Sequence, residues 1–167
     1  MEKIVKSPKS CSVAEIASFE ALVIEGGEVE LVGLRERILH AEQLVFIYDN
    51  NSVVVAVGAI KHPNAGYKSS VFEKCGISEQ GGYEFEAGWL YVAKAARGKG
   101  YGRILMESIC QLLPDKPCFA TTRENNTAMQ YLFNQFGFSK LGNSYKSRKG
   151  NYSLSLYVKG KLSQEKQ

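Results

Sequence analysis

Between Leu90 and Ile109 the chain reads LYVAKAARGKGYGRILMESI: an apolar run, a basic turn with three glycines, then an amphipathic run. Leu105, Ile109 and Leu112 recur at the spacing that stacks side chains along one side of a helix, and Pro114 ends it. A strand that enters a helix through so short a turn restricts the fold. If the next strand, KPCFATTR, joins the same sheet, the two strands must run parallel through a right-handed crossover. Helices layered on a sheet follow, which is the α/β class.

The glycines add a second constraint. In a helix each costs about 1 kcal/mol relative to alanine, so Gly98, Gly100 and Gly102 at a helix entrance imply a close approach to the backbone. Successive N–H groups without Cβ shielding, at the positive end of a helix dipole, form an anion cradle. Arg97, Lys99 and Arg103 add charge around it. The P-loop pattern is not met, and the dinucleotide pattern G-x-G-x-x-G loses its third glycine to Arg103. The pattern R-x-x-G-x-G is met by Arg97, Gly100 and Gly102, against the plainer reading of a flexible helix entrance with solvated cations.

The rest of the chain places this unit. A short strand is expected at Lys3–Lys6. Ser12 and Glu15 then form a capping box, opening a helix that carries Val13, Ile16, Ala17 and Val23 and stops at Gly26–Gly27. A second helix is predicted over Val29–Ala41, with Leu31, Leu34 and Ile38 on one face. QLVFIYDN and SVVVAVGAI are β-branched runs joined at Asp49-Asn50-Asn51, a hairpin signal, and Val53–Ile60 reads as buried on both faces. From His62 to Gly82 the pattern breaks into a long connection with a short helix near Ser70–Cys75. YEFEAGWLYV is a strand. Asn126–Phe136 is a helix with Met129, Leu132, Phe133 and Phe136 in register, and Gly137 is suited to a left-handed cap. Strands around Phe138–Ser144 and Asn151–Lys159 follow. Residues 1–160 therefore read as one domain, and 161–167 as a polar tail that frays.

Composition removes several classes of function. The net charge of +4 suits an anionic ligand, but the cations are scattered, so nucleic acid is not the expected partner. No apolar run is long enough for a membrane span. MEKIVKSPKS carries no apolar signal stretch, so a cytoplasmic protein is expected. Cys11, Cys75, Cys110 and Cys118 lack paired spacing and lie far in sequence from His40 and His62, so free thiols and no metal are expected.

LYVAKAARGKGYGRILMESI, followed by NNTAMQYLFNQFGF, resembles the two acetyl-coenzyme A motifs of the GNAT family of N-acetyltransferases, and the order of elements matches across nearly the whole chain. The resemblance implies a mixed, mostly antiparallel sheet with a parallel, splayed strand pair and helices on both faces. It implies acetyl-coenzyme A as cosubstrate, with the Arg97–Arg103 backbone (Gly98, Lys99, Gly100, Tyr101 and Gly102 between) gripping the pyrophosphate. Leu90, Tyr91 and Val92 would lend main-chain groups to the pantetheine arm, and Asn126 and Phe133 would line the cofactor.

The expected chemistry is acetyl transfer to a primary amine, favouring a small molecule over a protein. Such an amine has a pKa of ~10.4, so only about one in a few thousand is neutral near pH 7, and a base is useful. Glu84 and Glu86, two apart on a strand, point to one face with Gly88, Leu90 and Val92. By its distance to Arg97, Glu86 corresponds to the family's general base. Glu84 would help attract the ammonium, and a main-chain N–H near Leu90 would hold the oxyanion. An ion-paired or solvated acidic face is the alternative for this pair.

The sequence departs from the family at Phe133, where a tyrosine usually protonates the leaving thiolate. Tyr131 is rotated away on the same helix, and Tyr101 and Tyr145 are unranked substitutes. Tyr67, Phe72, Glu73 and Glu79 are read as a lid for a cationic amine. The rival function is a non-catalytic module that binds acyl-coenzyme A as a sensor. A homodimer is common in such folds, but these residues do not demonstrate one.

Overall fold

The computed structural model describes residues 1–78 and 82–160. Glu79 of the expected lid and the tail 161–167 lie outside the described residues. Among the described residues there are eight strands: β1 (Glu2–Lys6), β2 (Gln43–Tyr48), β3 (Val54–Lys61), β4 (Phe85–Val92), β5 (Cys118–Arg123), β6 (Ser139–Lys140), β7 (Tyr145–Lys146) and β8 (Ser153–Lys159). The helices are α1 (Val13–Gly26), α2 (Leu34–Leu39), α3 (Ala65–Lys74), α4 (Tyr101–Leu112) and α5 (Thr127–Gln135). The strands form one open sheet in the order β1-β2-β3-β4-β5-β8-β6, with β7 also on β8. The pairs β1–β2, β2–β3 and β5–β8 are antiparallel and β4–β5 is parallel, as expected. The parallel ladder is short, consisting of Phe85 opposite Cys118 and Glu86 opposite Phe119.

The chain divides into two units, Met1–His62 with Ala87–Leu112 and Pro63–Glu86 with Leu113–Gln167. In the first unit, α1 begins as its sequence requires. The Ser12 hydroxyl accepts from the Glu15 N–H at 3.1 Å, and the Glu15 carboxylate accepts from the Ser12 N–H at 2.9 Å. Gly27, at φ 77°, closes the helix in the left-handed region. The β2–β3 turn is held by the Asp49 carboxylate, which accepts from the Asn51 and Val53 N–H groups at 2.8 and 3.0 Å. The second helix is shorter than its periodicity predicts. Gly33 sits at φ 72° ahead of Leu34, so the helix cannot reach back to Val29, and Leu31 is left 63% exposed.

The core of this unit gathers Phe19, Phe46 and Ile38 with partly buried Trp89 and Tyr91. Phe19 meets Phe46 edge-on at 5.5 Å and Trp89 at 6.0 Å, in the geometry aromatic quadrupoles favour. Trp89 has φ 52°, unusual for a residue with a side chain. Leu90 turns the other way, against α4. A Cβ at Gly58 would stand 2.9 Å from Leu90 Cδ2 and 3.6 Å from Leu105 and Ile109.

The second unit is covered on both faces of its strands. Phe72 of α3 packs on Phe119 at 5.4 Å and on Tyr83 at 5.5 Å. Phe133 of α5 packs on Tyr157 at 5.2 Å, and Tyr157 lies opposite Ala120, the neighbour of Phe119 that points the other way. The α5 terminus is a Schellman motif: Phe138 N–H donates to the Phe133 carbonyl at 2.9 Å and Gly137 N–H to Asn134 at 3.3 Å. Gly137 has φ 84°, and the Phe133–Phe138 ring contact at 5.4 Å supplies the accompanying apolar clasp.

The segment between β3 and β4 corrects the expectation of a long loop. It holds α3, ten residues, which starts earlier and runs longer than the short helix expected near Ser70–Cys75. Asn64 caps it, accepting from the Gly66 and Tyr67 N–H groups at 2.9 and 3.4 Å, and Val71, Phe72 and Cys75 bury its inner side. Phe72 is therefore core and not part of a lid. The last two strands are also broken more than expected, into β6, β7 and β8.

Candidate active site

Two groups of predicted residues stand out, one in each unit. In the first unit, a single 3₁₀ turn (Lys94–Ala96) leads from β4 into Arg97-Gly98-Lys99-Gly100, and α4 begins at Tyr101. Gly98 and Gly100 both have φ 80°. Only Gly102 lies within the helix, so the propensity cost expected of three helical glycines applies to one of them. For the other two, an L side chain in that conformation costs roughly 1–2 kcal/mol.

No atom comes within 4 Å of where a Cβ would stand at Gly98 or Gly100, so the face of the turn is open. The first N–H groups of α4 have no carbonyl to serve within their own helix, and they carry the positive end of its dipole. Arg97 is steadied by its Nε donating to the Val92 carbonyl at 3.2 Å, and its guanidinium lies 5.7 Å from the Tyr91 ring centroid. Lys94, Arg97, Lys99 and Arg103 are all exposed around the turn. This arrangement can hold a phosphate ester.

In the second unit, Glu86 is 3% exposed on β4, directly beside Phe119. Its Oε2 has no hydrogen-bond donor among the described residues, although the carboxylate as a whole is engaged by the hydroxyl of Tyr67. That hydroxyl also bonds Thr121. A carboxylate can only accept, so Tyr67 donates its single proton to Glu86 and the Thr121 hydroxyl donates to Tyr67.

Tyr67 keeps 42% of its surface exposed. Burial of that hydroxyl, and then the neighbouring Glu86 charge, hold the phenol well above its ordinary pKa. Tyr145, on β7, is half-buried, and its phenol is likewise pushed up by burial and then by Cys75 and Glu86. Of the two unranked tyrosines, Tyr145 is thus the one that feels the Glu86 charge.

Other predicted residues are placed differently. Glu84 lies ahead of β4, which starts at Phe85, and is exposed. The positive φ of Trp89 interrupts the strict alternation by which Glu86 was to share a face with Leu90 and Val92. Asn126 caps α5, its Oδ1 accepting from Met129 N–H at 3.1 Å, which leaves its amide NH₂ for other partners. Phe133 is 1% exposed between Phe138 and Tyr157, a core side chain without surface to offer a ligand. Tyr131 is 63% exposed and accepts from Gln135 at 2.8 Å.

Sequence reasoning missed the link of Tyr67 to Glu86 and of Thr121 to Tyr67. Pro63-Asn64 before an alternation of small and apolar residues was the available sign of a capped helix. Among the described residues no cluster of three or more metal-ligating side chains occurs, and no helix is long and apolar enough to cross a membrane.

Comparison with known proteins adds to this geometry. The model of the acetyltransferase (GNAT) family matches residues 13–138. No curated protein matches the chain in sequence. Among solved structures, an acyl-CoA N-acyltransferase from Pseudomonas aeruginosa superposes with a TM-score of 0.69 at 16% identity, covering 96% of this chain and 100% of that one. ElaA from Escherichia coli gives 0.68 at 17% identity, covering 95% and 98%. The ribosomal-protein-S18-alanine N-acetyltransferase from Escherichia coli gives 0.59 at 11%, covering 99% of each. At these identities the likeness is one of fold.

Proposed function

This chain belongs to the acetyltransferase (GNAT) family, and we propose that it moves an acetyl group from acetyl-coenzyme A to a primary amine, favouring a small molecule. The observation that carries this reading is the open glycine turn at the entrance of α4, ringed by Arg97, Lys99 and Arg103. Residues 1–160 act as one domain in this reading, cytoplasmic and without a metal. Gly98, Gly100 and Gly102 admit a diphosphate to the N–H groups of the turn, with charge-assisted hydrogen bonds of ~1.5–3 kcal/mol each. Leu90, Tyr91 and Val92 offer main-chain groups to the arm that carries the thioester, and the Asn126 amide is a further contact. Acetyl-coenzyme A, when bound, supplies an activated acyl carbon and a thiolate leaving group.

Glu86 is the base. It takes the proton shed by the amine nitrogen as the C–N bond forms and the C–S bond breaks, the sulfur leaving with the bonding electrons. A thiol with a pKa near ~8.5 leaves tolerably without an acid, which suits the loss of the usual tyrosine at Phe133. Glu84, at the surface, adds negative charge that attracts an ammonium.

The burial of Phe133 also favours a second reading, a module that binds acyl-coenzyme A without turnover. A panel of amines assayed for thiol release separates the two. Turnover that falls about 10²–10⁴-fold in Glu86→Gln is expected. If no amine responds while acetyl-coenzyme A still raises the melting temperature, the binding module is correct. If turnover is unchanged by Glu86→Gln, the assignment of the base fails.

A further inference from the structure

The helix α1 runs out in Gly26-Gly27, and only one of the two is demanded by its own backbone. Gly27 has φ 77°, whereas Gly26 lies outside the left-handed region. What excludes a side chain at Gly26 is a ring. A Cβ there would stand 3.1 Å from Tyr91 Cδ2 and 3.4 Å from Tyr91 Cγ, closer than a side chain packs without pushing its neighbour. Tyr91 is thus set against the end of α1, and it also packs on the buried core of the same unit. Its ring has a further neighbour, the Arg97 guanidinium. At 5.7 Å from the centroid, this cation is within the range of attraction to an aromatic face. The same guanidinium is fixed at a second point, because its Nε donates to the Val92 carbonyl at 3.2 Å.

We propose that the Tyr91 side chain is the positioning residue of Arg97: a platform, backed by the end of α1, that holds the guanidinium beside the glycine turn in readiness for a diphosphate. The inference rests on the reading of that turn as the coenzyme A site, which gives Tyr91 only main-chain contacts. Arg97 directly precedes Gly98, and its bond to Val92 keeps the guanidinium near the end of β4. With Nε engaged and the ring beside it, the two terminal amino groups remain for an anion. They form the planar fork that matches phosphate oxygens. An exposed arginine gives up much rotamer freedom when it grips a ligand, and one already held gives up less. The aromatic ring does this work, and the Tyr91 hydroxyl has no part in it.

The test is a double-mutant cycle read by calorimetry with coenzyme A. Arg97→Gln is expected to weaken binding at least about tenfold, and Tyr91→Leu about three- to tenfold. Tyr91→Phe, which keeps the ring, should stay within about twofold of wild type. Once Arg97→Gln has removed the guanidinium, adding Tyr91→Leu should cost no further affinity. Losses that multiply, or a Tyr91→Leu that binds like wild type, overturn the proposal, as does a Tyr91→Phe as weak as Tyr91→Leu. Should Tyr91→Leu fail to fold, Tyr91→Met takes its place in the cycle. A second arm needs no ligand. The Arg97 Nε–H signal in NMR, assigned by its loss in Arg97→Gln, should move in Tyr91→Leu and stay in Tyr91→Phe. A signal unmoved by loss of the ring overturns the platform alone. A wild type that takes up no coenzyme A overturns instead the reading of the turn, and with it the purpose given to the pair.

Discussion

At Phe133 the family's chemistry and this chain's packing compete for one side chain. The ring is 1% exposed, touches Phe138 and Tyr157, and its carbonyl receives the bond that ends α5. Restoring the tyrosine by Phe133→Tyr would add a hydroxyl to an apolar contact. We expect a loss of about 1–3 kcal/mol in chemical denaturation and no gain in thiol release. Glu86 shows the opposite case, a buried polar group whose partner, the Tyr67 hydroxyl, the sequence does not place next to it. Its identity as a candidate base could be read from its distance to Arg97. Tyr67 and Thr121 could not, because they come from a different helix and strand and meet it only through tertiary packing.

Elements whose ends carry their own chemistry were legible. Ser12 with Glu15 fixed the start of α1, Asp49 the β2–β3 turn, and Gly137 the end of α5. The strand–turn–α4 unit was legible too, since the period of its apolar residues changes across the glycines. The two misread segments lacked such agreement. Leu31 continued the apolar period of α2 back across Gly33, whose left-handed backbone lets the helix begin only at Leu34. In α3, Gly66 and the Ser69-Ser70 pair masked the first turn of a helix that packing sustains more than propensity, so that only its later part was expected. That dependence can be measured. Phe72→Ala, removing a wholly buried ring, should cost about 3–5 kcal/mol and lower the melting temperature accordingly. A loss below about 1 kcal/mol would show that α3 does not rely on this anchor.

For the whole molecule, Tyr67 and Tyr145 tie stability to alkaline pH. Both phenols are held above their ordinary value of 10 in the folded chain. Below that value, folded and unfolded chains keep these protons equally, so the contribution is fully present. Above it the unfolded chain releases protons that the folded one retains, so stability falls as pH rises toward the folded values. Thermal melts in the range above pH 10 should show this decline, and Tyr145→Phe should flatten it. An identical decline in that variant would mean that the alkaline sensitivity arises elsewhere.

Trp89 is where these scales meet. Its backbone, at φ 52°, adopts a shape most comfortable for glycine, yet its indole lies against Phe19 and beneath the Lys61 ammonium, 4.4 Å from the ring. Glycine there would relax the main chain and hollow the interior in the same stroke, while a β-branched residue would satisfy neither demand. The position therefore tolerates little exchange, and the unusual bend of the strand is kept by the bulk of the side chain that bears it.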